Sequence, residues 1–417
     1  MLGGLFLAPV SGVVRRPPRL RVKLALVVAS IVLGAYLVEI AQFVLEVSLD
    51  SPETSTSDGD APFDTRSKFD ALFEMREQGV DIWPTVSPGR WTATDGVGSG
   101  DEHLYPLGGI SNERVLVCNE GGEFVIHDND EHGFNNPPGI HAKSSVDIAV
   151  IGDSFAQGWC VSAGEDIGNQ LRRSGPSVLN LGKNGIGPLI ELAILKEFGL
   201  PVRPRVVLWL YYEENDLTDL QSEREVPLLM RYHESDFSQA LRERQPVADR
   251  LMKDVITEQF SDRSTQRRRI GDDRSPLAVT LSLMRLERTR TRIERAGWRD
   301  RIEPREFPLE QFESIVDAAE RLVTSNGGHF YFVYLPMWQR YALREESPIR
   351  SEILGALEDN DIHVIDFHEV LSGEEEPVAV FPFRRYGHYT VEGYALLAET
   401  ILARLAADNV LSEGRND

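Results

Sequence analysis

Five short apolar runs, set between stretches of helical spacing, restrict the fold of this chain more than anything else in its 417 residues. Val146 to Ile151, Val178 to Leu181, Val206 to Tyr211, Phe330 to Leu335 and His363 to Ile365 are strand-length and rich in β-branched and aromatic residues. Glu165 to Arg173, Pro188 to Phe198, Leu309 to Thr324 and Ser351 to Leu357 read as helices between them, with Pro188 in a first turn where no N–H is needed. Thr390 to Ala406 reads as a closing helix capped by Thr390. Strands without polar alternation need cover on both faces, and helices reached by right-handed crossovers supply it. The expected fold is therefore α/β: a three-layer αβα sandwich around a central parallel sheet over residues 146–407, interrupted by an insertion at about 218–308.

The segments before this domain read differently. Leu24 to Leu45 is almost wholly apolar, with Glu39 its one charge, and is long enough for a bilayer core. Arg15, Arg16, Arg19, Arg21 and Lys23 precede it, while Glu46, Asp50, Glu53, Asp58 and Asp60 follow. The positive-inside bias predicts a cytoplasmic basic N-terminus (1–23) and one transmembrane anchor (24–45) in the cytoplasmic membrane, with the rest periplasmic or extracellular. A cleaved signal peptide is the competing reading, but no small-x-small site follows the apolar run. Residues 46–100, rich in Ser, Thr, Asp, Gly and Pro, read as a linker or stalk with one short helix around Lys68 to Gly79. Residues 101–145 read as a β-containing lead-in, with strands at Arg114 to Cys118 and Glu123 to His127 around a Gly-Gly turn, and 408–417 as a C-terminal tail.

A hydrophobic content of 41% is enough for a real core, and a net charge of −22 excludes a general nucleic-acid binder because phosphates would be repelled. Between Arg263 and Arg305, 13 Arg stand against 6 acidic residues, either a solvated helical face or a contact for an anionic glycan, lipid headgroup or partner. Leu277, Leu281 and Met284 in this insertion have helical spacing, which fits core packing. Cys118 and Cys160 are a candidate disulfide, which an extracytoplasmic compartment permits; two buried thiols are the competing reading.

Ester chemistry on serine needs a hydroxyl beside a base, and fixed donors aimed at the oxygen that becomes negative. Suitable residues follow three predicted strands: Gly152-Asp153-Ser154-Phe155, then Asn180 to Gly185, then Glu214-Asn215-Asp216. Gly387-His388-Tyr389 precedes the last helix. In doubly wound sheets, ligand groups gather at such carboxyl ends.

These four segments resemble the SGNH (GDSL-like) hydrolase superfamily, whose sequence blocks contribute Ser, Gly, Asn and His in that order. Ser154, Gly185, Asn215 and His388 match the four blocks, and the likeness runs from about 146 to 406. It implies a flavodoxin-like SGNH fold, Ser154 as nucleophile and His388 as its base. The N–H groups of Ser154 and Gly185, with the Asn215 amide, would form the oxyanion hole. No cofactor and no metal are implied. The resemblance lacks one element: the acid expected two or three residues before the histidine is replaced by Tyr386 and Arg385. Asp366 is a candidate substitute, weighed against a structural role in its loop.

Asp153 is expected to brace the nucleophile turn. His127-Asp128-Asn129-Asp130-Glu131-His132 suggests a metal loop, but its spacing fits no standard site. His329, His363 and His368 read as ordinary partly buried histidines, and Trp209, Tyr211 and Tyr212 as core or pocket residues. The expected function is hydrolysis or transfer of O-acyl groups on cell-envelope carbohydrate or lipid, because a tethered enzyme meets polymers and lipids near its membrane. A membrane-bound acyl-transfer partner is implied by likeness to periplasmic acetyltransferases. The competing expectation, prompted by Arg385 and Tyr386, is a non-catalytic binding or assembly protein that keeps the fold.

Overall fold

The computed structural model describes residues 63–270 and 307–411, together with isolated positions between 22 and 39. The chain forms two units, residues 63–258 with 307–417 and residues 1–62 with 259–306. Of the second unit, only helical positions between 22 and 39 and the helical residues 259–270 are described. The expected anchor at 24–45 thus lies mostly outside the described residues, as do Leu277, Leu281, Met284 and the Arg-rich segment beyond 270. Among the described residues, no helix is long and apolar enough to cross a membrane.

The larger unit holds two sheets. A small one joins β1 (Trp83–Pro84), β2 (Arg114–Leu116) and β3 (Ile126–Asp128), with β1 parallel and β3 antiparallel to β2. The main sheet contains β4 (Ile148–Gly152), β5 (Val178–Asn180), β6 (Val206–Tyr212), β7 (His329–Leu335) and β8 (His363–Asp366) in the order β5-β4-β6-β7-β8. All four pairings are parallel, Ile148 lying opposite both Val178 and Val206. The order reverses between β4 and β6, a switch point where doubly wound sheets open a crevice at their carboxyl ends.

Side chains alternate between the two faces of the sheet. Ile148, Val150, Val206, Leu208 and Leu210 share one core with Tyr394, Leu397, Ile401 and Leu405 of the last helix. On β6, Tyr211 meets Phe312. The helix Leu309–Ser325 buries Phe312, Ile315, Val316, Ala319 and Val323, an apolar stripe of helical period. Each fully buried Val, Leu, Ile or Phe contributes roughly 1.5–3 kcal/mol relative to exposure, so a sheet covered this way needs no polar face.

Among the described residues from 63 onward, the α-helices in chain order are α1 (Lys68–Glu77), α2 (Ser154–Gln157), α3 (Ile167–Arg172), α4 (Pro188–Ile194), α5 (Asp216–Glu223), α6 (Pro227–Met230), α7 (Gln245–Ile270), α8 (Leu309–Ser325), α9 (Trp338–Ala342), α10 (Arg350–Asp359), α11 (Phe367–Gly373) and α12 (Val391–Ala407). Thr390 caps α12 by accepting the Gly393 N–H at 3.2 Å. The helix expected from Glu165 starts at Ile167 because Asp166 caps it, its side chain accepting from the Asn169 N–H at 3.2 Å. The helix expected to reach Phe198 instead passes into a π-helical segment at Leu195–Gly199.

Residues 63–100 differ from the linker expected there. Ala71, Leu72, Ile82, Val86 and Trp91 are buried, and the Pro and Ser of this stretch shape a 3₁₀ turn at Pro88–Thr94. Turn-rich composition therefore marks a packed irregular layer in this part of the chain. The Tyr105 hydroxyl donates to the Pro88 carbonyl at 2.9 Å, and Ser87 Oγ to the Gly185 carbonyl at 3.2 Å. The insertion also begins as part of the domain: buried Glu197 accepts from the Tyr232 hydroxyl at 2.7 Å and the Leu241 N–H at 3.0 Å. Val410 and Leu411, expected in the tail, pack against the core.

Candidate active site

β4 ends at Gly152, and the chain turns at once into α2. Asp153 caps this short helix, its Oδ1 accepting the Phe155 N–H at 2.8 Å, so it braces the turn. Ser154 is thereby the first helical residue, at the carboxyl end of a central strand, and is only 8% exposed. Gly158 ends the helix in the left-handed conformation (φ 80°), where a Cβ would fall 2.1 Å from that of Asp166. Gly182 lets the loop after β5 press against α2, since a Cβ there would lie 2.2 Å from the Gln157 nitrogen.

His388 arrives from the loop before α12. Its Nε2 stands 2.8 Å from Ser154 Oγ, within hydrogen-bond distance. The Phe155 ring lies 4.7 Å and the Trp159 ring 6.1 Å from the imidazole. Behind it, Nδ1 is 2.9 Å from Glu120 Oε1 and 3.1 Å from Oε2, and the His388 backbone N–H donates to Oε2 at 2.9 Å. Burial acts to raise the Glu120 pKa, but the hydrogen bonds and charge of His388 outweigh it and hold the carboxyl below its ordinary value. With Nδ1 turned to Glu120, Nε2 is the ring nitrogen that faces Ser154.

Glu120 was not anticipated from the sequence. It lies in the β2–β3 connection, 268 residues before His388, with a Gly-Gly turn and Cys118 as its only local marks. Asp366 is not the orienting acid. It caps α11, accepting the His368 N–H at 2.9 Å, and its other oxygen is paired with Arg350.

Gly185 follows β5 in the left-handed region (φ 65°), its carbonyl taken by Ser87. Asn215 precedes α5 and donates through Nδ2 to Asp153 Oδ2 at 3.2 Å and to Asp219 Oδ2 at 3.0 Å. Asp153 Oδ2 also lies 3.3 Å from Ser154 Oγ, so the amide and the hydroxyl meet at one carboxylate. Both amide hydrogens are thus directed at carboxylates, and an oxyanion would have to draw one away.

The layer beneath these residues is acidic. Asp153, Glu191, Asp216 and Glu223 are buried. Burial raises the Asp153 pKa, and raises those of Glu191 and Asp216 well above their ordinary values, with neighbouring carboxylates adding to both. Burial and the Asp153 charge push Asp219 up to about 6. Burial pushes Glu223 up to about 8, although it accepts the N–H groups of Gly187, Leu189 and Ile190 at the start of α4. Among the described residues, no cluster of three His, Cys, Asp or Glu side chains is placed to hold a metal ion.

The suspected metal loop is a scaffold. Asp130 accepts the N–H groups of His132 and Phe134, the Asn136 amide and the His141 ring, while Asn136 Oδ1 accepts the Asn180 N–H at 2.8 Å. This chain of hydrogen bonds steadies the end of β5, from which the Gly185 loop leaves. His127 bonds the Val161 carbonyl at 3.0 Å, and Trp209 and Tyr211 are fully buried in the sheet. Cys118 and Cys160 form a disulfide.

No described protein family and no curated protein sequence matches the chain. Several solved structures resemble it in part. A lipolytic protein of the G-D-S-L family from Desulfitobacterium hafniense is 14% identical, with a TM-score of 0.34, covering 61% of this chain and 96% of its own. The lipase/acylhydrolase from Enterococcus faecalis is 11% identical, with a TM-score of 0.36, over 63% of this chain and 95% of its own. The acetyl xylan esterase AlAXEase is 11% identical, with a TM-score of 0.33, over 62% and 98%. Likenesses this slight bear on neither substrate nor mechanism, and the chemistry rests on the side chains themselves.

Proposed function

We propose that this chain is an SGNH-type serine esterase that cleaves or transfers O-acyl groups, with Ser154 as nucleophile, His388 as general base and acid, and Glu120 as the acid that orients it. The observation that carries this reading is the continuous hydrogen-bonded line from Ser154 Oγ through His388 Nε2 and Nδ1 to Glu120. As Oγ attacks an ester carbonyl, His388 takes its proton, and Glu120 faces the imidazolium that forms. The N–H groups of Ser154 and Gly185, with the Asn215 amide drawn from Asp153 or Asp219, hold the tetrahedral oxygen. The intermediate collapses as His388 returns the proton to the leaving alcohol. Water, or a second hydroxyl in the transfer reaction, then releases the acyl group from Ser154 by the same steps in reverse.

The substrate we propose is an acylated carbohydrate or lipid of the cell envelope, reached by a domain that residues 24–45 tether to the membrane, with a membrane-bound acyl-transfer partner if transfer is the outcome. Phe383 and Tyr386, 57% and 62% exposed on the loop that carries His388, offer rings on which sugar faces or acyl chains can lie. The alternative of a non-catalytic binding or assembly protein drew on the absence of an acid at positions 385 and 386. Glu120, 2.9 Å from His388 Nδ1, supports the catalytic reading over that one.

A fluorophosphonate probe should label the purified full-length protein at Ser154, and Ser154→Ala should abolish labelling. Folded protein that stays unlabelled between about pH 6 and 9 would return the reading to the binder.

A further inference from the structure

Glu120 comes from outside the main sheet. It sits in residues 117–125, between β2 and β3, which pair Arg114 to Leu116 against Ile126 to Asp128, while β2 pairs on its other side with the two-residue β1. Two further backbone bonds extend the β2–β3 ladder, Val117 N–H to the Val125 carbonyl (2.8 Å) and Val125 N–H to the Cys118 carbonyl (2.9 Å). A hairpin this short is marginal by itself. Non-covalent ties at its tip are the Lys68 ammonium on the Val117 carbonyl at 2.7 Å, and Asn119 donating to the Asp64 carbonyl at 2.6 Å. Both reach residues of the same irregular layer; toward the nucleophile helix, His127 of β3 bonds the Val161 carbonyl at 3.0 Å, and Glu120 itself bonds His388.

The covalent tie also runs toward that helix. Cys118, two residues before Glu120, is bonded to Cys160, three residues after α2 ends. The chain has no other cysteine. α2 begins with the nucleophile, so one short path runs from Ser154 along the helix, through Trp159 and the bond, to Glu120. Trp159 packs with Cys118, Val115 and Val117, and its ring lies 6.1 Å from that of His388. Cys160 has φ 62°, a conformation that non-glycine residues adopt uncommonly and that the surrounding structure must hold. The bond thus joins the two loops whose relative position decides whether a carboxylate stands behind the imidazole.

We infer that the Cys118–Cys160 disulfide is the positioning device that holds Glu120 on His388, so that acyl transfer by this site depends on the oxidation state of the pair. This rests on the esterase reading above. When the bond is reduced, the small sheet keeps its ladders and the His127–Val161 bond, but the segment that carries Glu120 loses its covalent link to the nucleophile helix, and Glu120 gains freedom to leave the imidazole. The reductant used to test this, dithiothreitol, gives two electrons and two protons to the bond. It leaves Cys118 and Cys160 as thiols and closes to its own cyclic disulfide.

The test is a cycle in the full-length protein: wild type, Glu120→Gln, the Cys118→Ser/Cys160→Ser pair, and all three changes together. Each is assayed for the rate of Ser154 acylation by a fluorophosphonate, with folding followed by tryptophan fluorescence. In the wild-type background, breaking the bond by substitution or by dithiothreitol should slow acylation at least about tenfold, and by no more than Glu120→Gln does alone. In the Glu120→Gln background the same change should cost less than about twofold, because the bond acts through a carboxylate no longer present. Reoxidation of reduced wild type should restore the rate. An equal loss in both backgrounds, an unchanged wild-type rate, or global unfolding on reduction would each overturn the inference, since the bond would then serve the fold alone. Failure of oxidised wild type to label at Ser154 would instead overturn the esterase reading.

Discussion

Replacing Glu120 with Gln keeps the volume of the side chain and removes its charge. In the folded protein both carboxylate oxygens lie within 3.1 Å of His388 Nδ1, and one also takes the His388 backbone N–H. During acylation the imidazole acquires a positive charge about 4 Å from the carboxylate centre, and at an effective dielectric constant of about 20 that attraction is about 4 kcal/mol, or roughly 10³ in rate. A fully buried acid in a serine triad is worth ~10⁴. The Glu120 side chain is 28% exposed, so water replaces part of the lost interaction. Glutamine also presents an N–H to Nδ1, which favours the tautomer whose Nε2 cannot accept the serine proton. The expected loss is ~10²–10³ in kcat for p-nitrophenyl acetate, with KM changed less than about threefold, because the charge exists only after substrate has bound. Glu120→Asp, one methylene shorter, should recover part of it. A Glu120→Gln protein that is folded and keeps kcat within about threefold of wild type would refute the assignment of Glu120 as the orienting acid.

Asn215→Ala should lower kcat by ~10²–10³ if its amide turns to the oxyanion, and an unchanged kcat would leave that role to the backbone donors. Asp219→Asn addresses stability: with a folded pKa of about 6, Asp219 holds its proton more tightly than in the unfolded chain. The stability this confers is full below about pH 4 and lost as the pH rises through about 6, so Asp219→Asn should melt higher than wild type at pH 8 and equal to it at pH 4. A wild type that melts higher at pH 8 would contradict the burial argument. Glu120 has the opposite sign, its folded pKa being lowered, so its contribution is present above the ordinary carboxylate value and fades as the pH falls through the folded one. The melting gap between wild type and Glu120→Gln should therefore narrow on acidification below about pH 4. Tyr386→Ala should raise KM for an acetylated oligosaccharide while leaving fluorophosphonate labelling unchanged, and equal effects on both would place Tyr386 in the folding of the loop.

The positions of the parallel strands could be read in advance because burial on both faces writes itself as unbroken apolar runs. β6, seven consecutive buried residues, is the clearest case. Strand ends follow from strands, so the Asp153 turn, the Gly185 loop and Asn215 could be located by counting, and Thr390 announced α12 through its capping chemistry. Where composition misled was residues 63–100: turn-forming residues build a flexible linker and a packed irregular layer equally well, and only the burial of Ile82, Val86 and Trp91 separates the two. Glu120 could not be read at all. Its partner lies 268 residues away, and a single contact between a loop and a histidine leaves no period, spacing or run in the chain. The linear code carried whatever repeats along a strand or helix. The meeting of Glu120, Ser154 and His388 was decided by tertiary packing, because side-chain proximity across a fold depends on how separate elements are placed and not on their order.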